Sequence, residues 1–236
     1  MSADDVRRHY ATGRFRERLR AGVEELHVRG TEATIELAEL AGLREGERVV
    51  DVGSGLGGPA RVLARRFGVE VVGIDLTPEL VEAAQELTRE AGLADRVTFT
   101  VGDAAALPFD RDAFDVAWTQ HAAMNVPDKL RLYAELRRVL RPGGRLAVYD
   151  VVAAGGTPDY PLPWASRPEL SALVTEDALD DLLTAAGFRA AARRDVTEAG
   201  LAWTRRDPSP APAFKNLARA LADGRLRLLE LVAEAV

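Results

Sequence analysis

The chain has 236 residues, of which 47% are hydrophobic, so it is long enough and apolar enough to bury a full core. Its formal net charge is −6 and no long run of basic residues is present, which argues against a nucleic acid as substrate. With no cysteine, the chain forms neither a disulfide nor a thiolate metal site, and it has no cysteine nucleophile.

The N-terminal segment is polar and rich in arginine, and residues 4–41 have the pattern of one or two helices. It contains no apolar core of the length found in a signal peptide, and no apolar stretch of the chain reaches membrane-spanning length. We therefore expect a cytoplasmic protein that does not enter a membrane. The sequence leaves the oligomeric state open.

Short apolar β-type segments alternate with amphipathic helical segments from residue 48 onward. The predicted strands are nearly continuous in apolar residues, as in a sheet covered on both faces, and span 48–53, 69–75, 96–103, 114–120 and 145–152. Helical patterns lie between them at 58–67, 79–91 and 128–140. This alternation predicts an α/β fold with a doubly wound, mostly parallel sheet and helices on both faces.

The chain beyond the fifth predicted strand is less regular. A connection rich in proline and glycine at 153–168 precedes a predicted helix at 176–187 and a predicted strand at 188–197. After a proline-rich break, the pattern is helical at 213–223, whereas 225–236 fits a helix and a strand equally well. We divide the chain into three parts. Residues 1–42 form an N-terminal helical lid and residues 43–198 the central core, and residues 199–236 are a C-terminal extension that completes the fold or the acceptor pocket.

The stretch "VVDVGSGLGG" (49–58) joins the first strand to the first helix of the core. It contains G-x-G-x-x-G, typical of loops that bind a dinucleotide. It also contains D-x-G-x-G-x-G, found in loops that bind S-adenosylmethionine. Asp75, 20 residues after Gly55, could bind the ribose of either cofactor or only cap the next turn. The glycines let backbone N–H groups approach a ligand closely, but they do not choose between hydride and methyl chemistry.

Three features favour S-adenosylmethionine over a dinucleotide. Asp51 precedes the loop, where a carboxylate attracts the ammonium of a methionine group but repels a pyrophosphate. In "GDAAALPF" (102–109), Asp103 could accept hydrogen bonds from an adenine amino group while Ala104 offers its backbone amide. The third feature is "LRPGGRLAVYD" (140–150), which predicts a tight turn before the fifth strand.

Five motifs resemble, in order and spacing, those of the class I S-adenosylmethionine-dependent methyltransferases: "VVDVGSGLGG", "GIDLTP", "GDAAALPF", "FDVAWTQHAAMNVPDK" and "ELRRVLRPGGRLAVYD". They look most like the small-molecule branch typified by ubiquinone/menaquinone C-methyltransferases and sarcosine/dimethylglycine N-methyltransferases. The resemblance covers residues 45–190 and implies a Rossmann-like core that binds S-adenosylmethionine. It is specific for the fold and the cofactor, and it does not specify the methyl acceptor.

The resemblance also implies where the cofactor is bound. The methionine part would be bound by the glycine loop, through Asp51, Gly53, Ser54 and Gly55, and by Gln120 at the end of the fourth strand. Asp75 and Leu76, at the end of the second strand, would bind the ribose and the adenine. Asp103 and Ala104, at the end of the third strand, would bind the adenine edge.

Candidate catalytic residues follow the fourth strand. Methyl transfer is an in-line displacement that needs alignment and exclusion of water, and a base only if the acceptor loses a proton. His121 is the candidate base because histidine titrates near neutrality, although it could also be a loop histidine bonded to backbone. Asn125 could orient the acceptor or stabilise the loop through an Asx turn.

Candidate contacts to the acceptor lie in other parts of the chain. In the resembled family the N-terminal segment folds over the cofactor, so Tyr10 could cover the methyl site and His27 could face the acceptor. Met124, Tyr149 and Trp164 could line the acceptor pocket, although Met124 is also a candidate core residue and Trp164 a candidate anchor for the long connection. The histidines lack the spacing of a helical zinc motif, so we expect no metal.

The leading hypothesis is an enzyme that transfers a methyl group from S-adenosylmethionine to an N, O or C atom of a small organic metabolite. A cyclase of the same fold would keep the cofactor motifs without transferring the methyl group, and so would a non-catalytic binding module. A nicotinamide oxidoreductase rests on G-x-G-x-x-G alone and is disfavoured by Asp51 and by "GDAAALPF". The expected partner is a small-molecule acceptor, not a nucleic acid.

Overall fold

The computed structural model describes residues 25–206 and 211–236, which are built around one seven-stranded sheet. The strands are β1 (Arg48–Val52), β2 (Glu70–Asp75), β3 (Val97–Val101), β4 (Phe114–Gln120), β5 (Leu140–Ala153), β6 (Phe188–Asp195) and β7 (Leu226–Ala235). Their order in the sheet is β3-β2-β1-β4-β5-β7-β6. β1 to β5 pair in parallel, and β7 is antiparallel to both β5 and β6. The predicted mostly parallel, doubly wound sheet is confirmed.

Helices cover both faces of this sheet, as predicted. In the described parts of the chain they are α1 (Gly30–Leu40), α2 (Gly58–Phe67), α3 (Pro78–Glu90), α4 (Lys129–Val139), α5 (Glu176–Ala185), α6 (Thr197–Arg206) and α7 (Pro212–Ala222). α4 and α5 pack on one face, and the other five pack on the opposite face. Among these helices, none combines the length and apolar character needed to cross a bilayer.

β5 shows why the central strands lack a polar side. Leu146, Val148 and Val152 face the layer formed by α4 and α5. The alternate residues, Ala147 and Tyr149, face the other helical layer. Because successive side chains of a strand point to opposite faces, a sheet covered on both sides buries every position. The apolar runs in the sequence follow from this arrangement.

The C-terminal segment that fitted a helix and a strand equally well is a strand. β7 lies between β5 and β6 and pairs with β5 from Leu226 to Glu234. Leu228 and Val232 are buried on one face, and Leu229 and Leu231 on the other, so the alternation that marks a half-exposed strand is absent. Burial on both faces therefore explains why the sequence pattern was ambiguous.

Two further differences separate the structure from the predicted elements. β5 already begins at Leu140, which pairs with Phe114 before the register shifts, so the predicted turn is an irregularity inside the strand. α6 has no counterpart in the sequence prediction. It contains Gly200, where a Cβ would lie 2.1 Å from Leu228 Cδ1. Glycine lowers helix propensity, but here it allows the helix to approach β7 closely.

The predicted N-terminal lid is described only in part. Of the segment predicted as helical, α1 lies within the described residues, and Tyr10 lies outside them. The start of α4 is close to its prediction, because Asp128 precedes the helix and its side chain accepts a hydrogen bond from the Arg131 N–H at 3.0 Å. The division of the chain after residues 42 and 198 stays a prediction.

Two leucines of α4 give a matched test of the packing between helix and sheet. Leu136 is fully buried, whereas Leu130 is 48% exposed. We expect Leu136→Ala to lower the free energy of unfolding by about 2–5 kcal/mol, because it removes apolar contacts and leaves a cavity. Leu130→Ala should change it by less than about 1 kcal/mol. Chemical denaturation followed by circular dichroism measures both, and equal losses would contradict the described orientation of α4.

Candidate active site

The candidate site lies where the sheet order reverses. β1 is followed along the chain by its neighbour β2 on one side, whereas β4 lies on its other side and leads to β5. In open α/β sheets, ligands bind at the carboxyl ends of the strands beside such a switch point. The glycine loop follows β1 here, and the turn that begins at His121 follows β4. The two predicted functional segments are therefore neighbours in space.

The glycine loop is held tightly between β2 and the turn after β4. The N–H groups of Gly53 and Ser54 both donate to the Ile74 carbonyl, at 2.8 and 3.1 Å. Gly53 has a φ of +77°, and a Cβ on it would lie 2.3 Å from the Ala122 Cβ. Only glycine satisfies both the backbone conformation and this close contact.

Asp75 fixes the loop to the start of α3. Its Oδ2 accepts a hydrogen bond from the Gly55 N–H at 2.9 Å, and its Oδ1 accepts one from the Thr77 N–H at 2.9 Å. The turn-capping role considered from the sequence is therefore present. A carboxylate oxygen accepts more than one hydrogen bond, so Asp75 retains capacity for the hydroxyl groups of a ribose.

Asp51 is a buried carboxylate with unmet hydrogen-bonding capacity. It is 2% exposed, and its Oδ2 has no hydrogen-bond partner within the described residues. Burial, and to a smaller extent the nearby Asp75, raises the pKa of Asp51 to about 7. Because an unpaired buried carboxylate is unfavourable, this position suits a cationic ligand group such as an ammonium.

Buried hydrogen-bond donors accompany this carboxylate. Gln120 Oε1 accepts from Trp118 Nε1 at 2.9 Å and from Thr34 Oγ1 at 3.2 Å. Because the indole only donates, this contact fixes the orientation of the amide and leaves the Gln120 Nε2 group as a donor. That nitrogen and the buried Ser54 hydroxyl lack partners in the described part of the chain. They suit an anionic group such as a carboxylate.

The positions predicted to bind adenine are less enclosed. Asp103 is exposed, and its Oδ1 accepts a hydrogen bond from the Ala105 N–H at 2.8 Å. Leu76 and Ala104 are half-buried. These residues lie at the ends of β2 and β3, which are adjacent strands, so the structure brings them to one edge of the sheet.

Three aromatic residues named from the sequence meet beside the switch point. The ring centroids of His121 and Tyr149 are 4.7 Å apart, and His27 lies 6.1 Å from each. His121 Nε2 and the Tyr149 hydroxyl are buried without a hydrogen-bond partner among the described residues. The structure therefore gathers the candidate base with two candidate acceptor contacts.

His121 is buried in an environment that lowers its pKa, so its selection as a base no longer rests on titration near neutrality. Burial, and then the nearby His27, lower the pKa of His121 well below its usual value. The expectation that His121 titrates near neutrality is therefore wrong for the ligand-free protein. A neutral imidazole still accepts a proton or a hydrogen bond through an unprotonated nitrogen. Its catalytic role stays a prediction.

His27 belongs to a polar chain that the sequence did not indicate. Its Nε2 lies 3.0 Å from the Gly30 carbonyl, which only accepts, so this nitrogen carries a proton. The same nitrogen lies 3.3 Å from Thr34 Oγ1, and Thr34 donates to Gln120. Thr34 is a polar residue on the buried face of α1, which is the signal that would have identified it.

Buried charges hold the turn after β4. Met124 N–H donates to Asp150 Oδ2 at 3.0 Å, and Lys129 Nζ donates to the Ala123 and Val126 carbonyls at 2.5 and 2.9 Å. Burial lowers the pKa of Lys129 to about 8 and raises that of Asp150 to about 6. Asn125 lies inside this turn and is buried. Lys129 was not selected from the sequence as a functional residue.

Two predicted acceptor contacts have clear packing roles. Met124 and Trp164 are both buried in the hydrophobic core, and Trp164 Nε1 donates to Ser171 Oγ at 3.0 Å. This hydrogen bond anchors the long connection that follows β5. A contact of either residue with an acceptor stays a prediction. In the described ranges, no group of three or more His, Asp or Glu side chains is placed to hold a metal ion.

The central segment of the chain is similar to known proteins. Residues 50–148 match a family described as a methyltransferase domain. Over 139 residues the chain is 39% identical to methyltransferase GfsG from Streptomyces halstedii, covering 59% of this chain and 50% of that protein. Over 120 residues it is 40% identical to 27-O-demethylrifamycin SV methyltransferase from Amycolatopsis mediterranei, covering 51% and 44%. The chain thus spans half or less of the length of these relatives.

A solved structure is similar over nearly all of both chains. The crystal structure of the [4+2]-cyclase SpnF has a TM-score of 0.79 and 26% identity, and covers 100% of this chain and 97% of that one. Together with the sheet order, these similarities show that residues 50–148 are similar to a methyltransferase domain and that the chain has the Rossmann-like fold of the S-adenosylmethionine-dependent methyltransferases.

Proposed function

We propose that this protein transfers a methyl group from S-adenosylmethionine to an N, O or C atom of a small organic molecule. The observation that carries the proposal is the set of unmet groups around the glycine loop. Asp51 offers a buried acceptor, while Ser54 and Gln120 offer buried donors. A zwitterionic amino acid needs both kinds of group, and the methionine part of S-adenosylmethionine is one.

The residues present fit the remainder of this cofactor as well. Asp75 retains lone pairs for the ribose hydroxyls, and Leu76 lies beside it with an exposed apolar side. Asp103 and Ala104 lie at the neighbouring strand end for the adenine edge. When bound, the cofactor supplies an activated methyl group, so the protein itself needs no metal and no nucleophilic side chain for the transfer.

The protein's part in the reaction is alignment, exclusion of water and proton removal. The electron pair of the acceptor that would form the new bond, a lone pair for N or O and a π pair for C, must be held in line with the methyl group, and the sulfur would keep the electrons of the bond that breaks. Where the acceptor carries a proton, His121 Nε2 accepts it, because that nitrogen is buried and without a partner in the described chain. Tyr149, whose ring centroid lies 4.7 Å from that of His121, and Asn125, in the turn that follows β4, would orient the acceptor.

A second candidate function is cyclisation on the same fold. It is favoured by the cyclase SpnF, which matches this chain from end to end. The relatives GfsG and 27-O-demethylrifamycin SV methyltransferase bear the name methyltransferase, so methyl transfer is the better-supported function. We further propose a cytoplasmic setting, as expected for a chain without cysteine, and an acceptor that is not a nucleic acid, as expected from the net charge of −6.

Label transfer distinguishes the two functions. The protein would be incubated with S-adenosylmethionine carrying a ¹³C methyl group and with a panel of phenols, carboxylic acids and amines, and the products analysed by mass spectrometry. We expect a product that carries the label, and none when S-adenosylhomocysteine replaces the donor. Conversion of a substrate to an isomer of unchanged mass, supported equally by S-adenosylhomocysteine, would establish the cyclase instead.

Asp75→Ala tests the ribose assignment. We expect the affinity for S-adenosylhomocysteine, measured by titration calorimetry, to fall at least about tenfold, because hydrogen bonds to a charged group contribute about 1.5–3 kcal/mol each. Asp95→Ala, on the exposed turn before β3, is the matched control and should bind as the wild type does. An unchanged affinity in the Asp75 variant would refute the assignment.

The pH dependence of binding tests Asp51. Its pKa of about 7 leaves it partly protonated near neutrality, and a bound ammonium would lower that pKa and release the proton. The affinity for S-adenosylhomocysteine should therefore increase severalfold as the pH rises from about 6 to about 7.5. In Asp51→Asn the affinity should be lower and independent of pH over this range. Constant wild-type affinity would exclude the proposed contact.

A further inference from the structure

A row of polar side chains crosses four strands of the sheet. The registers pair Gln120 of β4 with Tyr149 of β5, Tyr149 with Glu230 of β7, and Glu230 with Arg194 of β6. Residues paired in this way project from the same face of a sheet. The row therefore begins beside the glycine loop and ends at the edge strand, on the face that α1 covers.

Glu230 is the least expected member of this row. It has no exposed surface, and neither of its carboxylate oxygens has a hydrogen-bond partner in the described chain. Arg29 Nη1 lies 3.7 Å from Oε1, and Arg194 Nη1 lies 3.9 Å from Oε2. Both distances are too long for a hydrogen bond, so the arginines balance the charge of Glu230 without satisfying its lone pairs.

Arg29 has unused capacity as well. Its Nη2 donates to Glu36 Oε1 at 2.6 Å, whereas its Nη1 is buried without a hydrogen bond to any described residue. Its backbone φ is +69°, and that of His121 is +48°. Such conformations are unfavourable in non-glycine residues and occur frequently at functional sites. His121 lies beside the ring of Tyr149, whose hydroxyl also lacks a partner within the described residues.

The unmet groups specify the chemistry of a ligand. Arg29 offers a donor, Glu230 an acceptor, and Tyr149 a hydroxyl that does either. Arg29 and Arg194 already oppose Glu36 and Glu230, while Glu32, 3.8 Å from Arg29, is 56% exposed and screened by water. A ligand with a net charge would therefore leave one charge unbalanced in a buried place. A neutral hydroxyl group accepts from Arg29 and donates to Glu230 at the same time, and it brings no charge.

We propose that Arg29, Tyr149 and Glu230 form a subsite that binds a neutral hydroxyl group of the acceptor, on the β7 side of the methyl-transfer position. Leu228 and Val232 flank Glu230 on the same face of β7, so the acceptor around this hydroxyl is apolar. Because Glu230 has no exposed surface, the irregular segment 25–29 must shift for the acceptor to reach it. This inference rests on the proposed function.

Three probes with similar apolar bodies test the subsite: 1-naphthol, which is neutral, 1-naphthoate, which is an anion, and 1-naphthylmethylammonium, which is a cation. Their dissociation constants would be measured by ligand-observed NMR, with saturating S-adenosylhomocysteine. We expect 1-naphthol to bind the wild type most tightly and to bind E230Q and Y149F about tenfold more weakly, the effect of losing a hydrogen bond to a charged or buried group. E234Q, which changes an exposed carboxylate of the same strand paired with Arg189, should bind as the wild type does.

The proposal is overturned if 1-naphthol does not bind the wild type, if it binds E230Q and Y149F as well as the wild type, or if a charged probe binds more tightly than 1-naphthol. S-adenosylhomocysteine binding by each variant shows that the variant is folded. Y149F removes only a hydroxyl group, so it decides the question if E230Q fails to fold. Failure of the wild type to bind S-adenosylhomocysteine contradicts the proposed function instead, which separates the two outcomes.

Discussion

The contact between Gly53 and Ala122 is the constraint on which the site depends. It places the loop after β1 directly against the turn after β4, with no room for even one added carbon. The same loop donates hydrogen bonds to Ile74 and Asp75 at the end of β2. Any displacement of the turn is therefore transmitted to the loop through a close-packed contact, since packed groups transmit strain. The proposed cofactor site and the proposed acceptor site share this boundary.

The site holds several buried groups whose hydrogen bonds are not made by the described residues. Asp51, Gln120, His121, Tyr149 and Glu230 each have one such atom at least, in the part of the chain that is described. Leaving a buried polar group unsatisfied costs about 1–3 kcal/mol. The apolar core formed by both helical layers offsets this cost. A ligand that meets these groups would remove this cost, and the gain would add to its binding free energy.

The sequence predicted those features that depend on local pattern, and it missed those that depend on distant contacts. Asp51 was identified because it lies within a motif. Residues 225–236 stayed ambiguous, because burial on both faces removes the alternation of a strand. Thr34 and Glu230 were missed because each looks like an ordinary polar residue of its helix or strand. Only the fold brings Thr34 within hydrogen-bond distance of Gln120 and pairs Glu230 with Tyr149 across the sheet. Spatial neighbours of this kind have no signal at fixed spacing.

The positive charge of the proposed methyl donor gives a reason for the low pKa of His121. S-adenosylmethionine carries a positive sulfonium, and a cationic imidazole nearby would repel it strongly in a buried place where charges are poorly screened. Burial and the neighbouring His27 keep His121 neutral, so the imidazole does not oppose the donor. Once the methyl group has moved, the sulfur is neutral, and a proton on His121 is no longer repelled by it. The same low pKa then favours release of that proton, which returns the site to its starting state.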